Sequence, residues 1–157
     1  MKPKIRKICL WLCTLFLILT FSMICLSFMS KRPENLGVQN GRLNNCPETP
    51  NCVCSFEDKT DKHFIEPFAY SAAEKDVTAR LKEILNGMPR TKIVEQSENY
   101  ISAECTSLLF RFTDDLEFYI DSEKKLLHFR SASRIGHSDL GVNRKRLDSI
   151  KEKLKGL

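Results

Sequence analysis

Between Ile8 and Ser30 the sequence has no charged residue, no glycine and no proline. That absence excludes a loop or a solvated surface element, because nothing in the stretch breaks a helix or seeks water. Charge imbalance is also missing from the rest of the chain. Residues 1–30 hold four Lys/Arg and no Asp/Glu, which leaves 21 cations against 20 anions beyond them, a net charge of about +1. The formal charge of +5 therefore belongs mainly to the start of the chain, and bulk electrostatics give no reason to expect a nucleic-acid partner. Internal repeats, low-complexity segments, nucleophile elbows and zinc-hydrolase patterns are absent too. The cysteines lack the paired C-x2-4-C spacing of structural zinc sites, and His63 has no evident ligand partner. No metal or cofactor is expected.

What is present first is a run of membrane length. Lys2, Lys4, Arg6 and Lys7 precede ICLWLCTLFLILTFSMICLSFMS, and Lys31 and Arg32 close it. About 20 apolar residues cross a bilayer as a helix, the one form that satisfies a lone backbone segment in hydrocarbon. The division that follows is a cytoplasmic basic tail over 1–7, a transmembrane anchor over 8–30, a polar tether over 31–45 and a globular domain over 46–157. A cleaved signal peptide competes with this reading. It would have a shorter apolar core and a small-x-small cleavage site, which Cys25-Leu26-Ser27 meets at best partly. A lipoprotein signal ending at Cys25 would need a small residue where bulky Ile24 stands. The stronger positive flank before the run keeps the N-terminus in the cytoplasm. The expectation is a single-pass protein of a bacterial-type inner (cytoplasmic) membrane, with its C-terminal domain on the periplasmic side.

Cys9, Cys13 and Cys25 lie inside the apolar run, where a thiol acts as a small hydrophobe. Cys46, Cys52, Cys54 and Cys105 remain outside it. An even number in an exported domain reads as a disulfide framework, and spacing alone leaves all three pairings open.

The tether KRPENLGVQNGRLNN shows no apolar period. Pro47 and Pro50 make the Cys46–Cys52 stretch irregular, and Phe64–Tyr70 reads as a short strand. Ser71-Ala72-Ala73-Glu74 reads as a capping box opening a helix whose stripe is Val77, Leu81, Ile84, Leu85 and Met88, stopped by Gly87 and Pro89. From Thr91 to Ser133 the period becomes two: Ile101, Ala103 and Cys105, then Leu116, Phe118 and Ile120, then Leu127 and Phe129. Turns are expected at Ser97-Glu98-Asn99, at Thr113-Asp114-Asp115 and over Asp121–Lys125, giving about four antiparallel strands. A last helix over Asp139–Lys155 would carry the stripe Leu140, Leu147, Ile150 and Leu154 behind an N-cap at Ser138 or Asp139. The order β-α-β-β-β-β-α predicts an α+β fold, a curved antiparallel sheet covered by two helices, similar to TATA-binding-protein-like or helix-grip topologies.

Three stretches carry a family resemblance: Cys-Pro-Glu-Thr-Pro-Asn-Cys-Val at 46–53, Leu-Phe-Arg-Phe-Thr-Asp-Asp-Leu-Glu-Phe at 109–118, and Arg-Ser-Ala-Ser-Arg-Ile-Gly-His-Ser-Asp-Leu-Gly-Val-Asn-Arg at 130–144. With them the chain resembles the domain-of-unknown-function 1499 family over roughly residues 46–154. The resemblance implies no established activity. Cys54 and Cys105 stand where the family usually has Ser and an apolar residue. Their joint departure implies Cys46 paired with Cys52 and Cys54 paired with Cys105, the second loop contributing roughly 4 kcal/mol.

The segment from Arg130 to Arg146 is the best site candidate. Arg130, Ser131, Ser133, Arg134, Ser138, Asp139, Asn143 and Arg144 combine guanidinium forks with a helix N-terminus, a chemistry suited to phosphate or carboxylate. The competing reading is architectural: Ser138 and Asp139 cap, and the arginines pair with Asp114, Asp115 and Glu117. His137, Asp139, Ser131 and Ser133 supply hydrolytic residue types, but no spacing makes them a triad and no catalytic residue is assigned. The expected role is a non-catalytic binding or assembly module tethered to the envelope. A carrier of a lipid-like or anionic small molecule comes second and a hydrolase third. The expected partners are the membrane, through the N-terminal helix, and an envelope protein or anionic ligand.

Overall fold

The computed structural model describes residues 3–28 and 30–157. Lys2 of the basic start and Met29 of the apolar run lie outside them. The run forms one unbroken helix, α1 (Pro3–Phe28). Its segment Lys4–Ser27, 24 residues, is long and apolar enough to span a membrane, and the most apolar 18 residues of it are 0% buried within the chain. At 1.5 Å per residue it reaches about 36 Å, against about 30 Å of bilayer hydrocarbon.

The remainder is α+β. Strands β1 (Cys52–Cys54) and β2 (Phe68–Ala69) precede helix α2 (Glu74–Gly87); β3 (Thr91–Gln96), β4 (Tyr100–Thr106), β5 (Thr113–Asp121) and β6 (Leu126–Ser133) follow, and α3 (Val142–Leu154) closes the chain. The open six-stranded sheet runs β1-β6-β5-β4-β3, with β2 also on β6, and every strand pairing is antiparallel. Both α2 and α3 pack on one face of it.

Period two decides what each face buries. Ile101, Ala103, Leu116, Phe118, Ile120, Leu127 and Phe129 point at the helices, where Val77, Leu81 and Leu85 of α2 and Leu147, Ile150 and Leu154 of α3 meet them. Phe118 and Phe129 meet edge to face, with ring centroids 6.0 Å apart. The period of 3.6 in α2 was therefore a true core stripe.

Several local expectations need correction. Ser71 and Glu74 form no capping box: the N-cap is Ala73 without a side-chain bond. The Ser71 hydroxyl donates to the Leu157 carbonyl instead, and Glu74 accepts from Ser122. The strand at Phe64–Tyr70 shrinks to β2, with Phe64 making a lone bridge to Cys54. Thr113-Asp114-Asp115 is not a turn but the start of β5, because both aspartates are paired there with arginines. The connection lies at Ser107–Phe112, where the Ser107 amide donates to the Phe112 carbonyl. Helix α3 begins at Val142 behind an N-cap at Gly141, not at Ser138 or Asp139, so Leu140 falls outside its stripe and is 86% exposed.

The largest difference concerns residues 31–45, expected to be a free tether. They fold across the second face of the sheet. Leu43 is 1% exposed and joins Cys54 and Tyr100 in a small cluster with Val38, Cys46 and Phe56. Gln39 and Arg42 close a tight turn whose middle residues, Asn40 and Gly41, both have positive φ. Two apolar residues suffice to plug a face that is otherwise polar, and two residues make no period.

Candidate functional site around β6

Strand geometry splits the Arg-Ser-Ala-Ser-Arg stretch between two faces. Ser131 and Ser133 turn towards α3. The Asn143 side chain, fully buried, sits between them: its Oδ1 accepts from Ser131 Oγ at 2.6 Å and from Arg146 at 2.6 Å, and its Nδ2 donates to the Asn51 carbonyl at 2.9 Å and to Ser133 Oγ at 3.1 Å. Asp114 accepts from Ser133 at 2.5 Å and from Arg146 at 2.7 Å. Every hydrogen-bonding position of the Asn143 amide is thereby used.

Ahead of α3, Asp139 accepts from the Gly141 and Asn143 amides at 3.0 and 2.7 Å, and Ser138 Oγ accepts from the Leu140 amide at 3.2 Å. A carboxylate thus already occupies the helix N-terminus, where it would repel an incoming anion. Arg144 reaches away to the Lys62 carbonyl at 2.8 Å.

Arg130 and Arg134 serve the other face. Glu117, fully buried, accepts from Arg130 Nη1 at 2.8 Å, from Tyr100 Oη at 3.0 Å and from the Gly37 amide at 2.7 Å. Burial beside Glu117 pushes the Tyr100 phenol well above its ordinary range. Arg134 forks onto both oxygens of Asp115, at 2.9 and 2.6 Å, and also bonds Glu104. These bonds hold its guanidinium even more firmly protonated than usual. Arg32, the second residue of the expected tether, bonds Ser102 and Glu95. Arg130 Nε finds no partner among the described residues.

Cys46 and Cys52 form the expected disulfide, with Cα atoms 5.6 Å apart. Cys54 and Cys105 are both buried free thiols. Cys54 lies on β1 and Cys105 on β4, separated by β6 and β5. Three strand spacings amount to about 14 Å, twice the reach of a disulfide. The two thiols also face opposite sides of the sheet, Cys105 in the helix-facing core and Cys54 in the Leu43 cluster. Burial raises the Cys54 thiol to about 11, which makes it a poor nucleophile.

The family described as Protein of unknown function (DUF1499) matches residues 42–154. The chain belongs to this family. No curated protein matches it. The start of the DUF1499 match, earlier than Cys46, agrees with the burial of Leu43.

Within the DUF1499 domain seven of the eight residues singled out by sequence are drawn into three settings, the α3 network, the Ser138–Asp139 turn ahead of α3 and the ionic face, while Arg144 bonds the Lys62 carbonyl apart from them. His137 is exposed and bonds none of them. The serine–histidine contact that does form is elsewhere: Ser55 Oγ lies 3.1 Å from His128 Nδ1 and accepts the Phe129 amide at 3.0 Å. Phe56 stacks on the His128 ring at 4.1 Å, and burial lowers the His128 pKa. Sequence inspection missed Ser55, His128, Tyr100 and Asn51. One signal was readable: Asp115 and Glu117 alternate with Leu116 and Phe118, as Arg130 and Arg134 do with the serines, and such matched charges at period two mark facing strands. Among the described residues no three His, Cys, Asp or Glu side chains are grouped to hold a metal ion.

Proposed function

We propose that this chain is a single-pass, membrane-tethered envelope module that binds or assembles with a partner without catalysing a reaction, held at the inner membrane with its domain on the periplasmic side. The observation that carries the reading is the continuity between α1 and the domain: Ser27 at the end of the apolar helix bonds the Arg111 carbonyl, and Arg32 is already pinned to the sheet. A binding role is supported by the polar residues around β6, whose hydrogen bonds are spent on one another rather than offered to a substrate. The Ser55–His128 pair, the nearest approach to a nucleophile and base, is sealed beneath the Phe56 ring.

A second reading, carriage of a lipid-like or anionic small molecule, rests on a cleft of about 710 Å³ lined by Arg42, Phe56, Tyr119, Asp121, Glu123 and Lys124, where Lys124 already pairs with Asp121 and the Arg42 guanidinium stands 5.2 Å above the Phe56 ring. Both readings meet one test. A C-terminal alkaline phosphatase fusion should be active, and native mass spectrometry of the detergent-extracted chain should show a protein-mass adduct. A small retained anion instead would establish the carrier, and a dead fusion would reject the topology.

A further inference from the structure

Two loops carry apolar side chains that the fold leaves uncovered. The β4–β5 loop presents Leu108 at 75% and Leu109 at 66% exposure, the turn before α3 presents Leu140 at 86%, and Val142, the first residue of α3, is 46% exposed. Leu140 is the more telling. Its φ of 55° is the left-handed conformation that glycine or asparagine adopts most easily, so the turn itself gives no reason for a leucine. Scattered exposed hydrophobes are ordinary, but these belong to the two loops that rim one cleft. Phe112, Ile135 and Val142 line it from the domain, and Met23 and Leu26 of α1 line it from the other side.

The cleft fixes the level of these loops along α1. Met23 to Ser27 is the final turn of the Lys4–Ser27 span, about 6 Å of helix rise. If the span crosses the bilayer, its final turn lies where hydrocarbon gives way to headgroups. The Ser27 hydroxyl donates to the carbonyl of Arg111, two residues along the same loop from Leu109, so the loop is held at that depth.

We propose that the Ser107–Phe112 and Ser138–Val142 loops form a foot that places Leu108, Leu109 and Leu140 in the interfacial layer of the bilayer that α1 spans. The domain is then seated on lipid in one orientation. This rests on reading α1 as membrane-spanning. Lipid is the occupant because the patch is continuous with a helix whose exposed side chains are already apolar on every side, from Leu10 and Trp11 to Phe21 and Leu26. Exposed Arg111 and Lys31 at the same level suit anionic headgroups.

Trp11, the chain's one tryptophan, allows the two claims to be separated. The full chain is reconstituted in phosphatidylcholine–phosphatidylglycerol vesicles whose lipids carry bromine on the acyl chain close to the headgroup or deeper. Quenching of Trp11 reports the span. In a Trp11→Phe background, Leu108→Trp and Leu140→Trp report the foot, and Glu123→Trp, beyond the opposite end of β5, is the control. Shallow bromines should cut emission at least twofold at positions 108 and 140 and leave position 123 unchanged. Quenched Trp11 with unquenched probes at 108 and 140 overturns the foot and leaves the span standing. A blue-shifted but unquenched probe there means a protein surface or a second copy covers the patch, and also overturns it. Unquenched Trp11 overturns the span and the foot together.

Discussion

Glu117 and Phe118 are neighbours in the chain and leave β5 on opposite sides, both fully buried. Phe118 is surrounded by leucines, isoleucines and Phe129, and any apolar side chain of similar volume would meet much the same surroundings. Glu117 is held by three specific donors from three different segments, Gly37, Tyr100 and Arg130. One face therefore depends on volume and the other on pairing. A volume-based face degrades in proportion to what is removed, whereas a paired face fails when one partner goes and recovers when both charges go.

The comparison breaks hardest at Phe118→Ala, which should cost about 4 kcal/mol in urea unfolding, since the core cannot close over the lost ring. Arg130→Met should cost about 3 kcal/mol by stranding the Glu117 carboxylate, and adding Glu117→Gln, which keeps an acceptor for the Gly37 amide, should recover more than about 1 kcal/mol. A double variant no more stable than Arg130→Met alone would show that the face is held by volume after all.

A gentler test uses pH. Burial holds His128 neutral by lowering its pKa from 6.5. Below pH 6.5 the unfolded chain takes up a proton that the folded one refuses, so this contribution is complete above that value and is lost as pH falls through it. Unfolding free energy should therefore decline between about pH 7 and about pH 5, with a shallower decline in His128→Gln. The smallest effect belongs to Arg144→Gln, which removes one bond to the Lys62 carbonyl at the protein surface and should cost under about 0.5 kcal/mol. A loss there as large as that of Arg130→Met would place Arg144 in the architecture.

The helix-facing half of the fold was legible in the sequence because burial there leaves periodic marks: Val77, Leu81, Ile84 and Leu85 at helical spacing, and Leu116, Phe118 and Ile120 at strand spacing. The other half was not. Asp114 and Asp115 looked like a hydrated turn, since nothing local announces that Arg134 and Arg146 come from 19 and 32 residues away to neutralise them. Leu43 covers the sheet with Val38 alone from its segment, and its neighbours Arg42 and Asn44 read as solvated tether. Of the candidate site, the architectural pairing of the arginines with Asp115 and Glu117 was readable in outline. The Ser55–His128 contact was not, because it joins residues 73 apart through the register of β1 against β6.

The strap of residues 37–46 also decides how this domain could be separated from α1. A free linker can be cut anywhere and sheds an intact domain. Here a protease that cuts near Gly37 or Leu43 removes the lid from Glu117 and admits water to the buried ion pairs, so the liberated fragment would be a damaged one. Clean separation from α1 is confined to the chain ahead of Arg32, where the sheet's first ionic contact begins.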